Sequence, residues 1–312
     1  MAIPITSPIL FHHWRHEDVT RARFILESIC EKGFLLTTNT KTLDSFAIDR
    51  GSGVVQMEVM QHPRICFTDI PFELLSSHGQ SYGKYGVGFR REVIIDWGGL
   101  PAWYLPNHWG NDTLKSVGSV LVNGLHAARD TASQLQAIVK EFSAKGIPFT
   151  LKYEHGPNLE GDRLTKEVGK VADTVNLVLS FIKEMSPSPV EDCSYLMERE
   201  WRIVYGIDLA GKPSAYRVLT LEEKNKLCAQ NPGWRENRRS EDINITSRFG
   251  SAPVIDSFRY FNGIPEKATV AQHIDTIIVP DQTEKSWVED FVDQKPDLLC
   301  GNRPKVVIFP EV

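Results

Sequence analysis

Ile9-Leu10-Phe11-His12-His13-Trp14 decides how the chain begins. It is a short apolar and aromatic run that reads as a strand. Behind it the period changes. Val19, Ala22, Phe24, Ile25, Leu26 and Ile29 fall close to one helical face, Asp18 or Thr20 stands where an N-cap belongs, and Gly33 follows as a C-terminal stop. The opening is therefore strand, helix, turn. In a strand, His12 and His13 must face opposite ways. Each admits two readings: a satisfied core histidine, or a donor to a ribose hydroxyl beside a cleft. Trp14 reads as packing.

Further strand signals recur along the chain. Ile65-Cys66-Phe67-Thr68 is compact and apolar, closed by Asp69-Ile70-Pro71, because Pro71 cannot donate to a ladder. Tyr85 to Asp96 reads as one strand with Gly86 and Gly88 near its start. Residues 111–192 turn helical. Leu114, Val117, Val120 and Leu121 are followed by Leu135, Ile138, Val139 and Phe142, then by an apolar stretch from Val171 to Ile182. Glu154 to Lys170 reads as a loop between them. Trp201 to Tyr205 returns to strand character, and Gln230 to Ser251 reads as an exposed loop. His273 to Val279 and Lys305 to Phe309 are late strands flanking a short helix over Lys285 to Val292. Strands in all three thirds argue for one α+β domain over residues 1–312, with 111–192 as a helical insertion.

Composition excludes several classes. The chain has 312 residues, 41% of them hydrophobic, which is enough for a large core. A net charge of −5 argues against general polyanion binding. Two local basic groups stand out nonetheless. Lys84, Arg90 and Arg91 flank a glycine-rich segment, and Arg235, Arg238 and Arg239 share a loop with Trp234. The second combination suits phosphate contact plus base stacking, or is simply a solvated loop. The five cysteines are odd in number and form no CxxC pattern, so a disulfide framework or zinc site is not expected. Met1 to Leu10 lacks the pattern of a signal peptide, and no apolar run approaches the ~18 residues that span a bilayer. A cytoplasmic protein is the expectation. No metal-hydrolase helix motif and no Gly-x-Ser-x-Gly elbow occurs, and no metal is expected.

Two segments carry possible chemistry. Ser81 to Phe89 contains Gly-x-x-Gly-x-Gly, but a strand rather than a helix follows, which excludes a dinucleotide fingerprint. It is either a loop that brings Tyr82 or Tyr85 beside a nucleotide, or a hairpin or bulge. Glu198-Arg199-Glu200-Trp201-Arg202 is sharper. At a strand start, the period of two puts Glu198 and Glu200 on one face. Such a pair is either a charged, solvated edge or a group that stabilises positive charge on a sugar.

Together these motifs resemble the AbiGi family of bacterial abortive phage-resistance proteins. The pieces are Phe11-His12-His13-Trp14 with its helix and Gly33-Phe34, the stretch Ile65 to Pro71, Tyr82 to Phe89, Glu198 to Arg202 and, more weakly, Ile274 to Pro280. A more distant resemblance is to mono-ADP-ribosyltransferases, which order a histidine or arginine on a first strand, an aromatic or serine strand, and a late glutamate. That resemblance implies a split or strongly bent antiparallel sheet of ADP-ribosyltransferase type. It implies NAD as substrate, His12 or His13 orienting a ribose, Tyr82 or Tyr85 packing on nicotinamide, and Glu200 on the ribose 2′-hydroxyl, with Glu198 aiding the acceptor. The acceptor would be a macromolecule, nucleic acid included. The family label implies a different role: a non-enzymatic antitoxin or sensor with a cognate toxin partner. An NAD glycohydrolase is the third expectation.

Overall fold

The computed structural model describes residues 7–14, 18–37, 45–49, 55–59, 63–76, 82–105, 117–148, 150–151, 159–184, 199–205, 216–230, 255, 258–263, 269–299 and 301–310. The first elements are β1 (Ile9–Trp14), α1 (Val19–Lys32), β2 (Phe34–Leu36), β3 (Ser45–Asp49), β4 (Val55–Val59), β5 (Arg64–Thr68), β6 (Tyr85–Arg90) and α2 (Arg91–Asp96). Then come β7 (Leu100–Pro101), β8 (Trp103–Leu105), α3 (Val117–Ala144), β9 (Thr150–Leu151), β10 (Leu159–Glu160), α4 (Gly161–Phe181) and β11 (Ile182–Glu184). The last are β12 (Glu200–Val204), β13 (Tyr216–Val218), α5 (Leu221–Gln230), β14 (Arg259–Phe261), β15 (Ile274–Val279), α6 (Gln282–Gln294) and β16 (Lys305–Ile308).

The chain forms two compact units. One comprises Met1–Leu43, Gln61–Ala102 and Pro187–Val312; the other comprises Asp44–Met60 and Trp103–Ser186. The first is built on a seven-stranded sheet of order β16-β15-β6-β1-β5-β12-β7. Its pairings are antiparallel except that of β15 with β16. The fold is thus α+β with a mostly antiparallel sheet. The seven strands follow one hydrogen-bonded order, with β1 joined to β5 through the pair Phe11–Thr68.

Helix α1 forms for the local reasons its sequence states. The Asp18 carboxylate accepts the Thr20 N–H at 2.9 Å, and Ala22, Leu26, Ile29 and Cys30 make the buried face. Gly33 ends it at φ +83°, donating its N–H to the Ile29 carbonyl. A Cβ on Gly33 would sit 2.1 Å from the Phe261 carbonyl oxygen, so only glycine lets β2 join β14 and β13 in their three-stranded sheet. Leu10, Trp14, Phe34, Phe67, Phe89 and Trp97 belong to the main core. Its rings meet edge to face, with Phe34 and Phe67 centroids 5.6 Å apart and Phe34 and Phe89 5.5 Å apart.

Two local expectations shift. The strand expected to run to Asp96 stops at Arg90, and Arg91–Asp96 is a helical turn. Val93, Ile94 and Ile95 are consecutive and so fit either period; in the fold Ile94 is buried and Ile95 exposed. Gly98 at φ +85° turns the chain, and the Gly99 N–H closes onto the Ile94 carbonyl at 2.7 Å. The late helix is longer than expected, Gln282–Gln294, because Asp281 caps it by accepting the Glu284 N–H at 3.0 Å.

The second unit holds the β3–β4 hairpin and two long helices, α3 and α4. The helices pack antiparallel: Val122 meets Val175 and Leu179, while Val139 lies with Leu164 and Val168. Among the described residues no helix is long and apolar enough to cross a membrane.

Candidate functional site

Three neighbouring strands of the central sheet carry the motif residues. β5 is the middle one, with Phe11 of β1 opposite Thr68 and Thr68 opposite Glu200 of β12. In the next row Arg202 lies opposite Cys66, and on β1 His13 lies two residues beyond Phe11. Side chains alternate between faces along each strand. Phe11, His13, Cys66, Thr68, Glu200 and Arg202 therefore share one face. His12, Phe67 and Trp201 share the other.

This separates the residues singled out from sequence. The His12 ring packs edge-on against Phe34 and Phe67, at centroid distances of 5.3 and 5.9 Å. Its Nδ1 lies 2.8 Å from the Cys66 carbonyl oxygen, which accepts a hydrogen bond from it. Burial pulls this imidazole down to about 4, against the opposing effect of the Cys66 carbonyl. His12 is thus a neutral core histidine. Tyr85 is on the same side, opposite Trp14 in register and stacked with it at 6.2 Å. Its phenol is pushed up to about 12 by burial and then by the Glu284 carboxylate. Neither residue faces Glu200, which corrects the site that joined His12, Tyr85 and Glu200. Tyr82 is half-buried and lies ahead of β6. Glu198, Trp234, Arg235, Arg238 and Arg239 lie outside the described residues.

The face that does carry Glu200 is polar and enclosed. Arg202, 0% exposed, donates from Nε to Glu200 Oε1 at 2.7 Å, and Glu200 itself is 8% exposed. The Cys66 thiol is pushed up to about 12, first by burial and next by the Glu200 carboxylate, while Arg64 and Arg202 pull the other way. It is therefore a thiol and not a nucleophilic thiolate near neutrality. Gly86 and Gly88 of β6 make room for the rings on β1: a Cβ would lie 3.0 Å from His13 Nδ1 at the first and 2.7 Å from Phe11 Cε1 at the second. Phe72, Leu75 and Phe309 close over this half.

The two sharpest sequence motifs meet at one corner of the face. Arg199 is the non-glycine residue with positive φ, at 45°, among the described residues. It is held from both ends: its carbonyl accepts the Asp69 N–H at 3.1 Å and its Nη1 donates to the Asp69 carbonyl at 3.2 Å. The Asp69 carboxylate accepts from the Ser7 N–H and from Arg91 Nη2, each at 2.8 Å. Arg91 is thereby occupied, and Arg90 pairs with Asp275 at 3.4 Å, so the first basic group is mostly committed to the fold. Thr68 is the site residue that sequence reading missed. Its signal was its place two residues beyond Cys66, on the face that Glu200 shares. Among the described residues no cluster of three or more metal-ligating side chains occurs.

Residues 34–251, more than two thirds of the chain, match the family model described as abortive phage resistance protein AbiGi, antitoxin. No curated protein and no solved structure matches the chain.

Proposed function

The chain belongs to the AbiGi family of abortive phage-resistance proteins, and we propose that it serves as the antitoxin member of its system, acting by binding a cognate toxin protein. The family match carries this reading. The sheet edges favour a partner recognised through side chains over one that adds a strand. β7 is two residues long and contains Pro101, and β16 is bracketed by Pro304 and Pro310. Co-expression tests it. The chain should restore growth to cells producing the neighbouring toxin and co-purify with it. Growth arrest by the chain alone would point to a toxin instead.

A second reading is ADP-ribosyl transfer from NAD to a macromolecule, possible acceptors including nucleic acid, with water as acceptor in the glycohydrolase version. One observation favours it: His13, Thr68 and Glu200 occupy one face of three adjacent strands, in the histidine, hydroxyl, glutamate order. In this reaction the bond from ribose C1′ to the pyridinium nitrogen breaks and nicotinamide leaves with the electron pair. An acceptor lone pair bonds C1′, and the acceptor proton passes to a carboxylate or to water. The Glu200 carboxylate would stabilise the cationic sugar. Labelled NAD incubated with cell extract, with and without nuclease, tests it: transfer of label supports it, and absence of both transfer and nicotinamide release excludes it.

A further inference from the structure

We propose that α3 is the interface through which two copies of this chain associate, packed antiparallel about a two-fold axis at Thr131; the inference rests on neither functional reading. α3 carries two apolar rows. Val122, Ala132 and Val139 are buried, in the clusters shared with α4. Val120, Gly124, Ala127, Thr131, Leu135, Ile138 and Phe142 form the second row, which recurs every three or four residues along one helix face and holds no charge. Val120 is 61% exposed, Ile138 45% and Phe142 36%; Gly124, Ala127 and Thr131 are exposed as well, and Leu135 is half-buried. Contiguous exposed apolar surface marks an interaction site. Three observations select a second copy as its occupant. The row is self-complementary in size, as a two-fold interface requires: reversed about Thr131, it sets Val120 opposite Phe142, Gly124 opposite Ile138 and Ala127 opposite Leu135, the smaller side chain against the larger at each step. Gly124 has no packing reason within the chain, since a Cβ there would meet nothing within 4 Å, yet glycine inside a helix is destabilising relative to alanine. Close approach of a second backbone supplies the reason. The row is also long enough: it spans ~33 Å at the helical rise, and two helices in contact over that length bury on the order of 1,200 Å² in total, the lower end of stable interfaces.

Analytical ultracentrifugation of the full chain, from low to high micromolar, tests it: the wild type should sediment as a dimer at the upper end. Ile138→Glu places a charge in the paired row and should weaken association about 100-fold or more. Because Ile138 is exposed in the single chain, thermal unfolding at low concentration should be unchanged by that variant. Gly124→Leu fills the gap and should weaken association while raising the melting temperature of the monomer, two effects of opposite sign. Cysteine pairs read the direction. Thr131→Cys copies should cross-link to each other, and Gly124→Cys mixed with Ile138→Cys should give a cross-link that neither gives alone, with the oxidised wild type as the control for its own cysteines. A wild type that stays monomeric at high micromolar overturns the proposal, as does a dimer that survives Ile138→Glu. Gly124→Cys cross-linking to itself would mean parallel packing and overturn the two-fold arrangement. A monomeric wild type whose co-purification with the neighbouring toxin is lost in Ile138→Glu would give the row to the toxin, overturning the second copy as occupant while leaving the antitoxin reading intact.

Discussion

On one face of the central sheet His12 lies among Phe34, Phe67 and Trp14; on the other, one residue along, His13 shares a surface with Thr68, Cys66, Glu200 and Arg202. The same three strands supply both faces. The aromatic face gains from every ring it buries, and its histidine is neutral and bonded to a carbonyl. The polar face carries a buried ion pair whose desolvation offsets most of its attraction. Aromatic packing and the buried ion pair are thus divided by strand alternation, not by distance along the chain. Adjacent residues can serve opposite purposes, and substitutions on the two faces should fail in different ways.

The largest effect should come from removing the strand both faces share. The family match spans residues 34–251, yet β1 lies between β5 and β6 in the sheet. A fragment of residues 34–251 loses that strand together with α1, β14, β15, α6 and β16. The unit built on the central sheet is expected to lose its whole folding free energy, on the order of 5–15 kcal/mol. Hydrogen exchange should find no protected amides in β5, β6 and β12 of the fragment; protection there would mean the central strand is dispensable.

Next come the charges. Arg202→Met leaves the Glu200 carboxylate buried without its Nε donor and should cost about 3–5 kcal/mol. Adding Glu200→Gln in the same chain should recover much of that loss. Urea denaturation of the two single variants and the double variant measures the coupling, and simple additivity would show that the pair does not act as a unit.

On the aromatic face the lever is pH. His12 titrates at about 4 when folded and near 6.5 when unfolded. Between those values the unfolded chain binds the proton and the folded chain does not, so stability falls as pH drops from 6.5 to 4. The shift corresponds to about 3 kcal/mol over that window. His12→Gln keeps a donor for the Cys66 carbonyl and should flatten the pH dependence there. An unchanged acid profile would show that His12 is not the group responsible.

The glycines of β6 separate the faces sterically. Gly88→Ala puts a Cβ 2.7 Å from Ile9 Cγ2 and Phe11 Cε1, and Gly86→Ala puts one 3.0 Å from His13 Nδ1. Gly88→Ala should cost about 1–3 kcal/mol by overpacking and Gly86→Ala less, both through the polar face alone. Thermal melts that rank them in reverse would place the tighter contact on the His13 side.

Much of this was legible in the residues. The strand at Ile9–Trp14, the cap and stop of α1, and the strands around Phe67 and Ile203 follow from apolar runs bounded by Asp18, Gly33 and Pro71. The opposition of His12 and His13 follows from period two alone. Which of them faced Glu200 did not, because that depends on strand order and register, set by pairings between residues 54 or more positions apart. Tyr85 misled for the same reason: its side is fixed by pairing with Trp14. Arg91–Asp96 was unreadable because three consecutive apolar residues satisfy both periods. The short strands β2, β13 and β14 had too little pattern to announce themselves. Their pairing is a tertiary matter, resting on Gly33 and on the aromatic packing of Phe34 and Phe261.

The smallest effect is expected away from both faces, at the start of α5, where an exposed ion pair can be set against the buried one. Glu223 and Thr220 form a reciprocal cap: the Glu223 N–H donates to Thr220 Oγ1 at 3.2 Å, and the Thr220 N–H donates to Glu223 Oε2 at 2.9 Å. The same carboxylate receives Arg217 through two bonds of 2.8 and 2.9 Å, and Arg217 is the main reason its pKa falls to about 2. The folded value lies below the ordinary 4.5, so the carboxylate's contribution is fully present above 4.5 and lost as pH falls toward about 2. Arg217 is half exposed, so solvent screens the pair, and Glu223→Gln should cost only about 1 kcal/mol at pH 7. Thr220→Ala should cost about the same through the cap, but with little dependence on pH, since its oxygen does not titrate. Denaturant titrations at pH 7 and pH 3 separate the two. If Glu223→Gln proves as costly as Arg202→Met, burial is not what distinguishes the ion pair on the polar face, and the contrast between surface and sheet interior has to be abandoned.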